Sequence, residues 1–152
     1  MNPREYQRYD PLLRIRKTQE QLCAQKLAET MMKIKNIEQE IKNTEQLQKD
    51  YMSQVQTMQK KSHKVKEISD SFEYIVFLGK QKELLDKKKG ELEDIAQKQR
   101  KELEQIMIEE KMLQKLRDNR ERVFRNWVRK EIQKDTDDLS GTRFSMKNKE
   151  AI

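Results

Sequence analysis

Proline is missing from this 152-residue chain after Pro11, and glycine occurs only at Gly79, Gly90 and Gly141. Proline breaks a helix by removing a donor and clashing with the preceding turn, at a cost of roughly 3 kcal/mol. A sequence so short of breakers, with 40% Asp, Glu, Lys and Arg, is written as nearly continuous helix. Aromatics are scarce at 6%, and only 34% of residues are apolar, too few for a two-layer globular core but enough for a helical seam. No run of about 18 apolar residues is present, so no membrane span is expected. The opening MNPREYQRYD lacks the apolar stretch of a signal peptide. The lone cysteine, Cys23, excludes an internal disulfide and suits a reducing cytoplasm.

Leu, Ile, Val and Met recur with a period, which separates this chain from a disordered polyelectrolyte of similar charge. One heptad phase runs through Leu13, Cys23, Leu27, Thr30, Ile34, Ile37, Ile41, Thr44, Gln48, Tyr51, Val55, Met58 and Val65. A second steps by seven from Leu78 through Leu85, Leu92, Gln99, Ile106, Leu113, Arg120 and Trp127, helped by Ile95, Leu103, Leu116 and Val123. Such spacing specifies a left-handed coiled coil. The phases do not join: the first predicts core positions at 72 and 76, whereas the second starts at 78. Asp70 followed by Glu73 reads as an N-cap with an acid at N3.

The expected fold is therefore all-α, two long helices forming an antiparallel coiled-coil hairpin. Helix 1 is expected over about 11–64, with Asp10 as cap and Pro11 at its first position. The turn falls in 62–70 and helix 2 in 71–140, ending where Gly141 can take a left-handed conformation. Residues 141–152 are read as a flexible tail. One unbroken helix in a parallel dimer is the alternative, whereas the hairpin would be monomeric.

The net charge of +7 comes from basic residues mostly interleaved with acids, a solvated pattern that does not favour nucleic acid. Arginine is the exception. None occurs from 17 to 99, yet Arg4, Arg8, Arg14 and Arg16 open the chain, and Arg100, Arg117, Arg120, Arg122, Arg125 and Arg129 lie late in it. A hairpin gathers most of these at its open end, where planar guanidinium forks can grip carboxylates. Aromatics divide similarly: Tyr6, Tyr9, Phe124, Trp127 and Phe144 at the open end, Tyr51, Phe72, Tyr74 and Phe77 towards the turn. Phe72 to Leu78 holds too many apolar residues for one seam, so either the packed turn or a partner must cover them.

Catalytic signals are lacking. His63 is the only histidine and has no second ligand beside it, and no phosphate-binding, dinucleotide, zinc-protease or nucleophile-elbow motif occurs. A coiled coil has no cleft to perturb its many carboxylates. Neither an enzyme nor a cofactor is expected.

The ends of the chain resemble a known family. Tyr9-Asp-Pro-Leu-Leu-Arg-Ile-Arg-Lys17 with Glu20 and Lys26-Leu-Ala-Glu29 is similar to the start of flagellar export stalk proteins of the FliJ type. So is the later run from Leu113 through Leu116-Arg117 into Glu131, Lys134-Asp135, Asp137-Asp138-Leu139 and Arg143-Phe144. Tyr51 and Tyr74 with Phe77-Leu78 fall where that family carries aromatics around its turn, although Asp138 replaces the more usual Glu. The resemblance implies a cytoplasmic antiparallel coiled coil shaped like the central stalk of rotary ATPases. It implies a place on the cytoplasmic face of the cell membrane at the flagellar base, as part of the type III export apparatus. The implied partners are the hexameric export ATPase, the membrane export gate and export chaperones. Combined with the residue distribution, Arg14, Arg16, Arg117, Arg122, Arg125, Arg129 and Trp127 become candidates for the ATPase. Tyr51, Phe72, Tyr74 and Phe77 become candidates for the gate. The related injectisome stalks share the architecture, and a generic cytoskeletal or tethering coiled coil is the reading from another class.

Overall fold

A computed structural model describes residues 5–61 and 64–150. A 3-10 turn, Glu5–Arg8, feeds directly into α1, Tyr9–Lys60, and after the turn α2 runs Val65–Glu150. The two helices pack against each other as an antiparallel hairpin. Partner numbers fall on α2 as they rise on α1, as in Glu38 with Lys89 and Glu45 with Lys82. Arg4, His63, residues 62–63 of the expected turn and 151–152 of the expected tail lie outside the described residues.

Helix boundaries differ from expectation in three places. Asp70 is not a cap but an exposed residue inside α2. The helix begins earlier, where the Lys64 carbonyl accepts from the amides of Glu67 and Ile68. Nothing between 64 and 70 breaks a helix, and half-buried Ile68 anchors the first turn in the seam. Gly141 does not end α2. It keeps a helical backbone, the next nine residues contain no proline, and Lys147 and Lys149 suit the negative end of the helix dipole. The expected 141–152 tail is thus helical as far as Glu150. At the start, Asp10 lies inside α1 rather than before it, and Pro11 sits in the first turn, where its missing donor costs nothing.

The chain divides into two compact units, Met1–Glu20 with Gln105–Ile152, and Gln21–Glu104. In the second, α1 turns a strict three-four alternation inward: Cys23, Leu27, Thr30, Ile34, Ile37, Ile41, Thr44, Gln48, Tyr51, Val55 and Met58. From α2 come Ile68, Ser71, Ile75, Leu78, Lys82, Leu85, Lys89, Leu92, Ala96, Gln99 and Leu103. Ile34, Ile41, Val55, Ile75, Leu78 and Ala96 are buried, and covering an Ile or Leu side chain fully contributes about 1.5–3 kcal/mol. The first-phase expectation holds through Met58. Val65, its last member, is 82% exposed because it already belongs to α2 and faces away from the seam. Ile95 is likewise displaced by Ala96.

In the other unit, α1 offers Leu13, Arg16 and Glu20, and α2 offers Ile106, Glu110, Leu113, Arg117, Glu121, Phe124, Val128 and Glu131. Two successive four-residue steps, 113 to 117 to 121, shift the seam by one position, as a stutter does. That corrects the strict seven-residue extrapolation. Arg120, Val123 and Trp127 leave the seam, Leu116 never enters it, and Glu121 and Val128 take the places expected of Arg120 and Trp127.

Candidate partner-binding surfaces

Within the unit holding the start of α1, Arg117 is the centre of a polar clasp. Its Nε donates to the Asp10 carboxylate on α1, and its Nη1 donates to Glu121 at 3.1 Å. Its guanidinium also lies 5.6 Å from the centre of the Tyr6 ring, within cation–π range. The bond to Asp10, with the charges of Asp10, Glu121 and Asp118, holds the guanidinium above its already high ordinary pKa. Tyr6 packs on Phe124 with ring centres 5.8 Å apart, and Phe124 stacks on Trp127 at 6.1 Å. A second bridge, Arg16 to Glu109 at 3.0 Å, ties α1 to α2 further along. Arg14, Arg122, Arg125 and Arg129 point to solvent. Arg125 and Arg122 contact only their own helix, through Glu121 at 2.7 Å and Asn119 at 3.3 Å.

In the other unit the aromatics separate into covered and exposed. Tyr51 of α1 and Tyr74 of α2 meet at 4.6 Å between ring centres, and Phe77 stacks on Tyr74 at 6.0 Å. Phe72 and Phe77 remain 48% and 50% exposed, and Val76 more so. With Ser69, Glu73 and Lys80 they line one shallow depression along α2. Those positions recur at three- and four-residue steps, the signature of an apolar helix face, on the side away from α1. Across the helices Glu45 and Lys82 pair at 2.9 Å, which lowers the carboxyl's pKa and raises the ammonium's.

Among the described residues no group of three or more His, Cys, Asp or Glu could hold a metal ion, and no helix is long and apolar enough to cross a membrane. The surfaces on offer suit protein partners. The model of the family described as flagellar FliJ protein matches residues 5–149. The chain belongs to the FliJ family. Comparison with curated proteins finds no match, and comparison with solved structures finds none either. FliJ proteins are non-enzymatic, stalk-type components of flagellar type III protein export, so the family accounts for the helical hairpin and the lack of catalytic motifs.

Against this FliJ-family frame the expected ATPase-facing residues fall into two sets. Arg16 and Arg117 hold α1 to α2, and their charge is satisfied within the chain. Arg14, Arg122, Arg125, Arg129 and Trp127 are exposed. The expected gate-facing set divides as well, Tyr51 and Tyr74 against each other across the helices, Phe72 and Phe77 outward. Two features escaped sequence reasoning. Asp10 and Tyr6 complete the clasp, and charged residues such as Glu20 and Glu110 occupy seam positions. The seam positions could have been found by extending the three-four alternation through polar residues instead of stopping at them.

Proposed function

We propose that this chain is the coiled-coil stalk that binds the hexameric flagellar export ATPase and links it to the membrane export gate and to export chaperones. The family match over residues 5–149 carries the export role. Two exposed surfaces support the finer assignment. The exposed guanidinium groups of Arg14, Arg122, Arg125 and Arg129, beside Trp127, suit the acidic and polar rim of a protein ring. The outward face of Phe72, Val76 and Phe77 supplies aromatic anchors for the gate. The cytoplasmic face of the membrane is the compartment this reading requires.

Charge reversal at Arg122, Arg125 and Arg129 tests the ATPase surface. The triple Glu variant should abolish stimulation of the ATPase while its circular dichroism stays helical. Lys87→Glu with Lys88→Glu is the proper comparison. Both lysines are exposed, whereas neighbouring Lys89 bridges to Glu38 at 3.4 Å and would perturb the hairpin itself. A larger loss from the lysine pair would refute the assignment.

For the gate surface, Phe72→Ala and Phe77→Ala should each weaken gate binding by about 1–3 kcal/mol, as anchors do, with ATPase stimulation unchanged. Tyr74→Ala removes the contact with Tyr51 and should lower the melting temperature as well. If the two Phe variants affect only melting and leave gate affinity intact, the patch is packing.

A further inference from the structure

The seam alternation puts an acid on each helix in one place. Glu20 follows Leu13 and Arg16 in the inward series of α1, and Glu110 lies between Ile106 and Leu113 in that of α2. Core positions of a coiled coil normally exclude like charges facing each other. Here both carboxyls line one recess of about 240 Å³, with Met107, Lys111 and Gln114. The cations nearby are partly committed: Arg16 on α1 bridges to Glu109 on α2 at 3.0 Å, which leaves Lys17 of α1 and Lys111 of α2 as the positive groups around the pair. Two carboxylates sharing a site cannot both ionise cheaply, whereas one proton held between them makes a strong hydrogen bond.

We propose that Glu20 and Glu110 form a proton-operated catch between α1 and α2, closed when one proton bridges the two carboxyls and released when both are ionised. Supporting this, the hydrogen bond to Glu20, partial removal from water and the Glu20 charge together raise the pKa of Glu110, opposed by Lys17. A carboxyl whose folded pKa is raised adds stability that is complete below its unfolded pKa and is lost as pH rises through the folded value. The helices should therefore be held more firmly at this level in mildly acidic solution than at neutral pH. An ordinary ion-paired carboxylate such as Glu45, with its lowered pKa, behaves in the opposite sense.

The test uses the full chain with Cys23→Ser and spin labels at exposed Thr18 and Met112, one on each helix beside the pair. Electron–electron distances should be narrowly distributed near pH 4.5, then broaden or lengthen by pH 7.5. Glu20→Gln and Glu110→Gln should each stay narrow at both pH values, because an amide donates to the remaining carboxylate without a proton from solution. At neutral pH these variants should also melt higher than the parent, and the gap should close in acid. Glu102→Gln, an exposed control, should follow the parent throughout. A carbon-13 titration of the unaltered chain should place the Glu110 carboxyl above the ordinary glutamate range. The catch is excluded if the parent's distances do not change with pH, if the Gln variants keep the parent's response, or if the Glu110 carboxyl titrates in the ordinary glutamate range.

Discussion

A glutamine in an apolar seam is stable only if its amide finds partners, and the two here differ in that respect. Gln48 reaches across from α1 and donates to the Ile75 carbonyl at 3.3 Å, beside Gly79, where a Cβ would make only an ordinary 3.6 Å contact with the amide nitrogen. Gln99 has its Oε1 buried with no hydrogen-bond partner. Leaving a buried acceptor unsatisfied costs about 1–3 kcal/mol. Gln99→Leu should accordingly stabilise the hairpin by about 1–2 kcal/mol in urea unfolding. Gln48→Leu discards a satisfied bond and should be near neutral or destabilising. Equal effects from both would mean that seam polarity, not satisfaction, sets the energetics. The charged seam residues obey the same logic. Arg117 is tolerated at a core position because Asp10, Glu121 and the Tyr6 ring surround its guanidinium.

At the scale of the helices, α1 and α2 differ in length, 52 and 86 residues. Every residue of α2 from Ile132 to Glu150 is exposed. Ile132, Leu139 and Met146 recur there at seven-residue steps, continuing a stripe. Such a stretch is held by propensity and end effects alone, so it is the part of α2 most sensitive to its glycine. Gly141 has a helical backbone and open space where a Cβ would stand. Gly141→Ala should therefore increase the ellipticity at 222 nm and slow amide exchange around residues 137–145, reflecting about 1 kcal/mol of helix propensity. A loss of helicity would show that Gly141 takes the left-handed conformation of a helix end. That the chain forms two long helices with a shared seam was legible from the lack of breakers and the 3.5-residue period. Their limits were not. A cap-like Asp70-to-Glu73 pair and a late glycine are local preferences worth about 1 kcal/mol each, and continuous good helix formers on either side outweigh them.

For the molecule as a whole, the pairing of α1 with α2 followed from periodicity, and the FliJ resemblance noted at both ends matches the family found over residues 5–149. The candidate surfaces were only half legible. Counting arginines and aromatics located the right stretches, but sequence alone does not say which members turn inward. Arg117 and Arg16 were drawn into bridges by acids about a hundred residues away, and Trp127 left the seam because the 113–117–121 stutter put Val128 in its place. As a stalk, the hairpin should engage a flagellar-type export ATPase. The most direct measurement is the rate of ATP hydrolysis by that purified ATPase as this chain is titrated in, with the mass of the complex recorded on the same samples. A stalk should give a saturable rise in rate together with a complex of ATPase and this chain. A rate that stays flat across the titration, with the two proteins migrating separately, would contradict it and leave a coiled-coil tether as the better description.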